Sequence, residues 1–183
     1  KPQPRGEGFA FAETVHGGSV PRNYFAAIEA GCRDALTRGP LGFPVVDIAV
    51  ALVDGSYHTV DSSDAAFQTA ARIGMSEGMP NCAPVLLEPI MKLEVVTPED
   101  YFGDVLGDIN SRRGQVQGMD QRGNARVLTA MVPLAETFGY ATDLRSNTQG
   151  RATYSMEFAH YAQVPSNVAE EIQGRVRTRV TSV

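Results

Sequence analysis

The chain has 183 residues and a formal net charge of −5, with 43% hydrophobic and 20% charged residues. This length allows one large or two small domains, and the composition is that of an ordinary globular protein. The negative charge argues against non-specific binding of nucleic acid by bulk charge, so any RNA contact must come from local clusters of cations.

The first 82 residues predict a domain with two helices and an apolar strand between them. A short strand at residues 9–13 comes before Pro21, which is expected to open the first helix because proline favours the first helical position. The run from Val45 to Val53 predicts a strand that is apolar on both faces and therefore central in its sheet. The second helix is expected to take its N-cap from one of three residues, Asp61, Ser62 or Ser63.

The segment between this strand and the second helix reads VDGSYHTVDSSD and is polar, with a tyrosine and a histidine at its centre. It offers an aromatic ring, an imidazole, hydroxyls and backbone N–H groups, which can recognise RNA bases, sugars and phosphates. The structural alternative is that Asp54 and Gly55 form a turn and the last residues cap the helix. That alternative leaves the three residues after the turn unexplained. The candidate contact residues are Gly55, Ser56, Tyr57, His58, Asp61, Ser62 and Ser63.

Residues 84 to about 161 predict the element order β-α-β-β-α-β, which is that of a ferredoxin-like sandwich. Its first helix is expected to begin in TPED, with Thr97 as the N-cap, and to end with Gly114 as the C-cap. Its second helix is expected to begin at Pro133, with Phe138 on the buried side. The order indicates the fold class and no function, because this fold hosts many functions.

Several arginines lie in or beside the loops of this second half, among Asn, Ser, Gln and Gly residues. Arginine in such surroundings suits contact with phosphate groups. We expect the loops that follow the two helices to lie at the same end of the sheet. Helix C-capping and ordinary surface charge are the alternative explanation. The candidate RNA contacts are Arg112, Arg113, Arg122, Arg126, Arg145 and Arg151.

The sequence contains none of the common catalytic or metal-binding motifs. It has no GxxxxGK[ST] phosphate loop, and its three histidines and two cysteines lack metal-ligand spacing. His58, Asp61 and Ser62 lie on one short loop, which cannot easily form a convergent nucleophile, base and orienting group. We therefore predict no catalytic residue and no metal site. Two cysteines and the lack of a ~20-residue apolar run predict a cytoplasmic protein without a membrane partner.

Four long stretches carry a resemblance to a known family. They are GFPVVDIAVALVDGSYHTVDSSDAAF, LLEPIMKLEVVTPEDYFGDVLGDINSRRGQVQGM, VPLAETFGYATDLRSNTQGRATYSMEFAHY and VPSNVAEEI. These stretches closely resemble the C-terminal part of bacterial elongation factor G, the translational GTPase that drives translocation of tRNA and mRNA on the ribosome. The resemblance runs from PRGEGFAF to about Ile172, which is nearly the whole chain.

The resemblance implies an α+β protein of two domains. Residues 1–82 would form most of the family's fourth domain, an incomplete split β-α-β unit that lacks its N-terminal strand and has an unpaired sheet edge. Residues 83–162 would form the ferredoxin-like fifth domain, and residues 163–183 a C-terminal helix and tail. The chain begins without Met, and we expect it to be a fragment.

The resemblance also implies a function on the ribosome. The polar loop matches the tip of the fourth domain, which enters the decoding region of the small subunit beside tRNA and mRNA, with His58 in the tip position. The fifth domain would lie against large-subunit RNA near the stalk base. GTP and Mg²⁺ belong to the GTPase domain of the parent family. That domain is expected to be absent here, so the chain itself is predicted to be non-catalytic and without a cofactor.

Two other functions stay open at this point. Paralogues that recycle ribosomes or dislodge tetracycline use the same domains with other tip loops. The second half alone would also suit a small-ligand regulatory module, as other ferredoxin-like domains are, with its ligand between sheet edges.

Overall fold

The computed structural model describes the backbone of residues 1–181 and the side chains of residues 1–175. The chain forms two compact units. The first comprises Lys1–Leu86 together with the C-terminal segment that begins at Pro165, and the second comprises Leu87–Val164. Both units combine helices with a sheet, which confirms the predicted mixed fold class.

The first unit is built on two parallel strands and two helices. In chain order these elements are β1 (Phe9–Glu13), α1 (Phe25–Leu36), β2 (Ile48–Leu52) and α2 (Asp64–Gly78). The strands pair along their whole length, from Phe9 opposite Ile48 to Glu13 opposite Leu52. On the other side of β2, Pro2 forms an antiparallel bridge with Ile48. β2 therefore has pairing partners on both sides, and Pro2 of the N-terminal segment contributes to the ladder.

β2 is shorter than the predicted strand because Asp47 adopts a left-handed conformation, with φ 56°. The Asp47 carboxylate accepts hydrogen bonds from the backbone N–H groups of Gly6 at 3.1 Å and Gly8 at 2.9 Å. These bonds hold the segment before β1 against the start of β2. Aspartate tolerates the left-handed region better than most residues because its short side chain can bond locally.

α1 and α2 pack closely against each other. A Cβ atom on Gly31 of α1 would lie 2.2 Å from the backbone oxygen of Gln68 in α2. Ile28 and Cys32 are buried beside this contact, and Phe67 is partly buried against them. Burial, with a smaller contribution from the charge of Glu29, raises the pKa of the Cys32 thiol.

α1 begins later than predicted, whereas the start of α2 agrees with one of the predicted caps. Pro21 is extended, with ψ 140°, and precedes a 3₁₀ turn, so the prediction that Pro21 opens the helix was wrong. Ser63 is the N-cap of α2, because its Oγ accepts a hydrogen bond from the Ala66 N–H at 3.2 Å. This bond selects Ser63 from the three predicted candidates.

The second unit contains a four-stranded antiparallel sheet and two helices. In chain order these elements are β3 (Leu87–Pro98), α3 (Phe102–Ser111), β4 (Gln115–Arg122), β5 (Ala125–Pro133), α4 (Tyr140–Asn147) and β6 (Thr153–Gln163). The strand order is β4-β5-β3-β6, and every pair is antiparallel. This arrangement confirms the predicted ferredoxin-like fold. The helix that follows, α5 (Ser166–Thr181), belongs to the first unit.

The core of the second unit lies on one face of its sheet. Leu93 and Val95 of β3 are fully buried there with Leu128 of β5, against Val105 of α3 and Leu144 of α4. Side chains alternate between the two faces of a strand, so the residues between these lie on the opposite face. No helix belongs to the core on that face in the described part of the chain, and we call it the open face.

Both helices of this unit begin later than predicted, because each preceding strand continues through its proline. Thr97 is 1% exposed within β3, and Pro98 is the last residue of that strand. Pro133 likewise ends β5, and α4 begins only at Tyr140. Phe138, predicted on the buried side of this helix, precedes the helix and is 78% exposed. The predicted helix starts at Thr97 and Pro133 were therefore wrong.

The end of α3 also differs from its prediction. Arg113, and not Gly114, adopts the left-handed conformation, with φ 57°. The N–H of Gly114 donates to the Ile109 carbonyl oxygen at 2.9 Å. A Cβ atom on Gly114 would lie 2.6 Å from that oxygen, so glycine is required here by the close approach of the backbone.

Candidate nucleic-acid interface

Residues 53–63, which join β2 to α2, form an exposed loop that we call the tip loop. Its base is held by Asp54, whose Oδ1 accepts hydrogen bonds from the Gly55 N–H at 2.8 Å and the Ser19 hydroxyl at 2.9 Å. The Gly55 bond, and after it the Ser19 bond, lower the pKa of the Asp54 carboxyl. Asp54 thus links the loop to the segment that precedes α1. The turn residues of the loop are 59–61, so the alternative that placed a turn at Asp54 and Gly55 was wrong.

Gly55 lets the tip loop lie directly on the core of the first unit. A Cβ atom at this position would lie 2.5 Å from Cγ2 of Val20, and Val20 is only 2% exposed. Because Val20 is packed on all sides, it cannot move away cheaply. A side chain at Gly55 would therefore lift the base of the loop.

The Tyr57 ring rests on a short column of aromatic rings. Its centroid lies 5.8 Å from that of Tyr24, and Tyr24 stacks on Phe67 of α2 with centroids 4.5 Å apart. Tyr57 remains 42% exposed. Such contacts fix the ring while one of its faces stays open to a partner, since aromatic pairs are stabilised beyond their area of contact.

His58 is exposed and takes part in a small ring of hydrogen bonds. Its N–H donates to the Ser62 Oγ at 2.9 Å, and the Ser62 N–H donates to the His58 carbonyl oxygen at 3.1 Å. The imidazole Nδ1 lies 3.4 Å from Asp61 Oδ2, and the side chain is 73% exposed. Nδ1 thus faces a carboxylate, while Nε2 has no hydrogen-bond partner among the described residues.

The predicted contact residues of this loop therefore lie together, but they do not share one role. Asp61, Ser62 and Ser63 fix the loop and cap α2. Ser56, Tyr57 and His58 project to solvent, as does Val60, which is 82% exposed. Contact with RNA at these positions stays a prediction.

The six candidate arginines fall at two opposite ends of the second unit's sheet. Because β3 and β5 are antiparallel, the helices that follow them run in opposite directions. The loop after α3 therefore returns to the Leu87 end of β3, whereas the loop after α4 reaches the Pro98 end. The prediction that these two loops share one end was wrong.

Arg112 is held by groups of its own unit. Its guanidinium contacts the Asp108 carboxylate at 2.9 Å, the Asp143 carboxylate at 2.5 Å and the Glu136 carbonyl oxygen at 2.8 Å. It also lies over the Tyr140 ring, and its side chain is only 12% exposed.

Arg113 is held in the same way. It forms two parallel bonds with the Glu88 carboxylate and a third with Glu136, each at 2.9 Å. The Glu88 bonds are the main cause that raises the pKa of Arg113. An RNA phosphate would have to replace these carboxylates, so the geometry favours a structural role for Arg112 and Arg113.

The remaining four arginines belong to the Pro98 end, which we call the arginine end: Arg122, Arg126, Arg145 and Arg151. Arg126 lies over the Phe102 ring with its Nε 3.4 Å from Glu99. Arg122 is 64% exposed and 3.5 Å from Glu94. The Arg151 guanidinium lies over the Tyr101 ring, and neither it nor Arg145 has an ion pair in the described residues. The arginine end is thus the more available cationic surface of this unit.

The described residues contain no cluster of metal-binding side chains. No group of three or more His, Cys, Asp or Glu side chains in this part of the chain is placed to hold a metal ion. The sequence also lacks the glycine-rich phosphate loop. Among the same residues, no helix is both long and apolar enough to cross a membrane.

Comparison with known proteins agrees with this architecture. Residues 1–83 match the family model described as elongation factor G, domain IV, and residues 85–172 match the one described as elongation factor G C-terminus. The chain belongs to the elongation factor G family. The tip loop lies in the part that matches domain IV, and the arginine end lies in the part that matches the C-terminus.

A solved protein of similar structure comes from Thermus thermophilus. Its crystal structure is 43% identical to this chain and superposes with a TM-score of 0.87, over 96% of this chain and 26% of that chain. The chain therefore spans about a quarter of that protein's length. The resemblance to elongation factor G inferred from sequence motifs is confirmed.

Sequence reasoning missed the residues that support the tip loop. Ser19 bonds Asp54 across 35 positions of sequence, and Tyr24 supports Tyr57 from a different element. Neither residue carries a local signal, because a serine after two glycines and a tyrosine near a helix start have ordinary structural explanations.

Proposed function

We propose that this chain is the ribosome-binding C-terminal part of an elongation factor that promotes GTP-dependent translocation of tRNA and mRNA. In this proposal the tip loop enters the decoding region of the small subunit and contacts tRNA and mRNA. The proposal is supported by family membership and by one observation above all. His58, 73% exposed, projects from a loop that hydrogen bonds already hold in one conformation.

The tip loop is prepared for binding before its partner arrives. The Asp54 bonds, the aromatic column under Tyr57 and the Ser62 bonds fix its backbone in the free protein. A loop that is already ordered loses less conformational entropy on binding, so more of its contact energy contributes to affinity. Tyr57 would then stack on RNA, and the free Nε2 of His58 would hydrogen bond to it.

Binding of this loop would bias the direction of movement. A tip that occupies the site vacated by tRNA stabilises the moved state relative to the unmoved one, and this differential affinity shifts the equilibrium. His58 acts here as a contact residue and transfers no proton. If translocation followed the protonation state of His58 while alanine at this position were harmless at neutral pH, this role would be wrong.

The second unit would supply an anchor on the large subunit, against rRNA near the stalk base. The arginine end supports this role, because Arg122, Arg145 and Arg151 are not enclosed by carboxylates as Arg112 and Arg113 are. Exposed guanidinium groups bind phosphate oxygens with good geometry.

The test is to join this chain to the GTPase-bearing N-terminal part of a bacterial elongation factor G. Ribosome-stimulated GTP hydrolysis and single-round translocation are then measured on the same chimera. We expect both activities. Normal hydrolysis without any translocation would overturn the proposal and favour ribosome recycling instead, because these domains would then bind the ribosome for another task.

A further inference from the structure

We propose that the arginine end holds one unpaired RNA nucleotide, with its base in a cavity on the open face and its flanking phosphates on Arg122 and Arg151. This inference rests on the proposed function and deepens it, because it names the part of the RNA that the second unit takes.

A cavity of about 350 Å³ opens at the arginine end. Its walls come from the ends of β3 and β4, the start of β5 and the residues that lead into β6. This volume lies at the lower limit of the range of ligand pockets, which begins at roughly 300 Å³. It therefore suits a single planar ring system with part of its sugar.

The floor of the cavity is apolar and belongs to the open face, as the register of the strands shows. Ala125 lies opposite both Pro98 and Arg122, and Val96 lies opposite Thr153, so these five residues share the open face. Val96, Pro98 and Ala125 supply the apolar surface between the two polar ends. An unstacked base exposes an apolar face that such a floor can cover.

The two arginines lie on opposite sides of this floor. Arg122 ends β4 at one edge of the sheet, and Arg151 directly precedes β6 at the other edge. Two strands separate them, and three inter-strand steps of ~4.8 Å correspond to roughly 14 Å between the outer strands. The two arginines are thus rooted on opposite sides of the floor, and the two phosphates beside a nucleotide in a strand can each approach one of them.

Two polar side chains complete the cavity. Asn124 lies in the turn between β4 and β5, and Thr153 begins β6. In the described residues neither side chain has a hydrogen-bond partner. An amide and a hydroxyl offer both donors and acceptors, so they can pair with the edge of a base. A base within a duplex has no free face, so the cavity selects an unpaired nucleotide.

Glu94 supplies a carboxylate that competes with RNA. It lies 3.5 Å from Arg122 on the open face, and both side chains are substantially exposed. Exposed pairs of this kind contribute little stability, so a phosphate can replace Glu94. Glu94→Gln should therefore increase affinity for RNA, whereas Arg122→Ala and Arg151→Ala should each decrease it.

The test measures binding of labelled hexa-adenylate RNA to the full chain by fluorescence anisotropy. A hexamer with one central abasic nucleotide, the hexamer in a duplex with hexa-uridylate, and free AMP serve as comparison probes. We expect the intact single strand to bind about tenfold more tightly than the abasic hexamer, a difference of about 1.4 kcal/mol. Ala125→Ile, which fills the floor without changing charge, should remove this difference and leave the affinity for the abasic hexamer unchanged.

Matched variants separate filling of the cavity from general damage. Ser155→Ile adds the same side chain on the same face of β6 outside the cavity, and it should keep the preference for the intact hexamer. If Ala125→Ile fails to fold by circular dichroism, Thr153→Ile fills the cavity from the exposed edge strand and replaces it.

Several results would overturn the inference. The arginine variants could bind more weakly while the wild type binds the intact and abasic hexamers equally. This result would show that the surface binds phosphates alone and makes no contact with the base. AMP binding as tight as hexamer binding would show a site for a free nucleotide. Tighter binding of the duplex would show that no unpaired base is needed. Translocation by the chimera tests the proposed function separately, so it can stand when this inference fails.

Discussion

Arg113 and Glu88 are joined by two parallel hydrogen bonds, each 2.9 Å long, which tie the end of α3 to the second residue of β3. The Glu88 side chain is 12% exposed and that of Arg113 is 27% exposed. Bidentate geometry and partial burial make such a pair stronger than an ordinary surface ion pair. The pair holds together the α3 end and the first strand of the unit.

Arg113→Ala should therefore destabilise the second unit. The change leaves the half-enclosed Glu88 carboxylate without its partner, and we expect a loss of roughly 1–3 kcal/mol. Arg145→Ala is the matched control, since Arg145 also lies at a helix end and has no ion pair among the described residues; we expect a change within about 0.5 kcal/mol. Amide hydrogen exchange of β3 measures both effects, and equal exchange in the two variants would contradict a structural role for Arg113.

Gly31→Ala should separate α1 from α2. Its new Cβ atom would lie 2.2 Å from the Gln68 backbone oxygen, and overpacking of this kind costs about 1–3 kcal/mol. Gly74→Ala is the control, because no atom lies within 4 Å of its Cβ position on α2. Alanine there should stabilise the helix by up to about 1 kcal/mol. Amide hydrogen exchange of the two helices should therefore become faster in Gly31→Ala and slower in Gly74→Ala. Slower exchange in both variants would contradict the close packing.

The Tyr140 hydroxyl predicts an unusual response to substitution. Tyr140 is 2% exposed, and its hydroxyl has no hydrogen-bond partner among the described residues. Tyr140→Phe should therefore be neutral or stabilising by up to about 1 kcal/mol, because it removes an unsatisfied polar group. Tyr140→Ala should cost about 3–5 kcal/mol, since it empties the core. A clear loss of stability in the phenylalanine variant would show that the hydroxyl does have a partner.

The same residue makes stability depend on alkaline pH. Burial raises the pKa of Tyr140 above its ordinary value of 10.0. The contribution of the neutral Tyr140 phenol to the free energy of unfolding is fully present below about pH 10. It is lost as the pH rises, because the phenol ionises first in the unfolded state. The free energy of unfolding of the wild type, measured by chemical denaturation between about pH 9 and pH 11, should show this loss. In Tyr140→Phe the part of the loss that comes from this phenol should be missing.

The base of the tip loop should respond to acid. Hydrogen bonds from Gly55 and then from Ser19 lower the pKa of Asp54 below its ordinary value of 3.8. The stabilisation of the folded state by the ionised Asp54 carboxyl is fully present above the ordinary pKa. It is lost as the pH falls through the lower pKa of the folded state. A carboxyl NMR titration should place the Asp54 midpoint below 3.8, and Ser19→Ala should move it upward. An unchanged midpoint in that variant would mean that the Ser19 bond does not form in solution.

The order of elements was predictable because its signals are local. Alternating apolar residues predict strands such as β6, and turn residues separate them. The helix starts at Thr97 and Pro133 were not predictable, since a proline favours the first position of a helix whereas Pro98 and Pro133 each end a strand here. Pairing with a neighbouring strand decides whether the proline belongs to the strand or to the helix. Ala125 of β5 pairs with Pro98, and β3 therefore extends through its proline.

The residue types of the candidate site were predictable from the sequence, but which of these residues are free to bind a partner was not. The sequence identifies arginines beside loops, but it does not show which guanidinium groups are already occupied. Arg113 meets Glu88 across 25 positions, and Arg112 meets Asp143 across 31. The same distant contacts support the tip loop, where Ser19 holds Asp54. Long-range pairs of this kind leave no trace in a local pattern.

The most direct test of the account is single-round translocation by the chimera that carries His58→Ala, with His160→Ala as its control. Both histidines are exposed, but His160 belongs to β6 of the second unit and not to the tip loop. We expect His58→Ala to slow translocation about tenfold or more, or about 1.4 kcal/mol in the barrier, with GTP hydrolysis unchanged. His160→Ala should behave as the wild type. Equal translocation rates in all three proteins would contradict the assignment of this loop as the tip that drives movement.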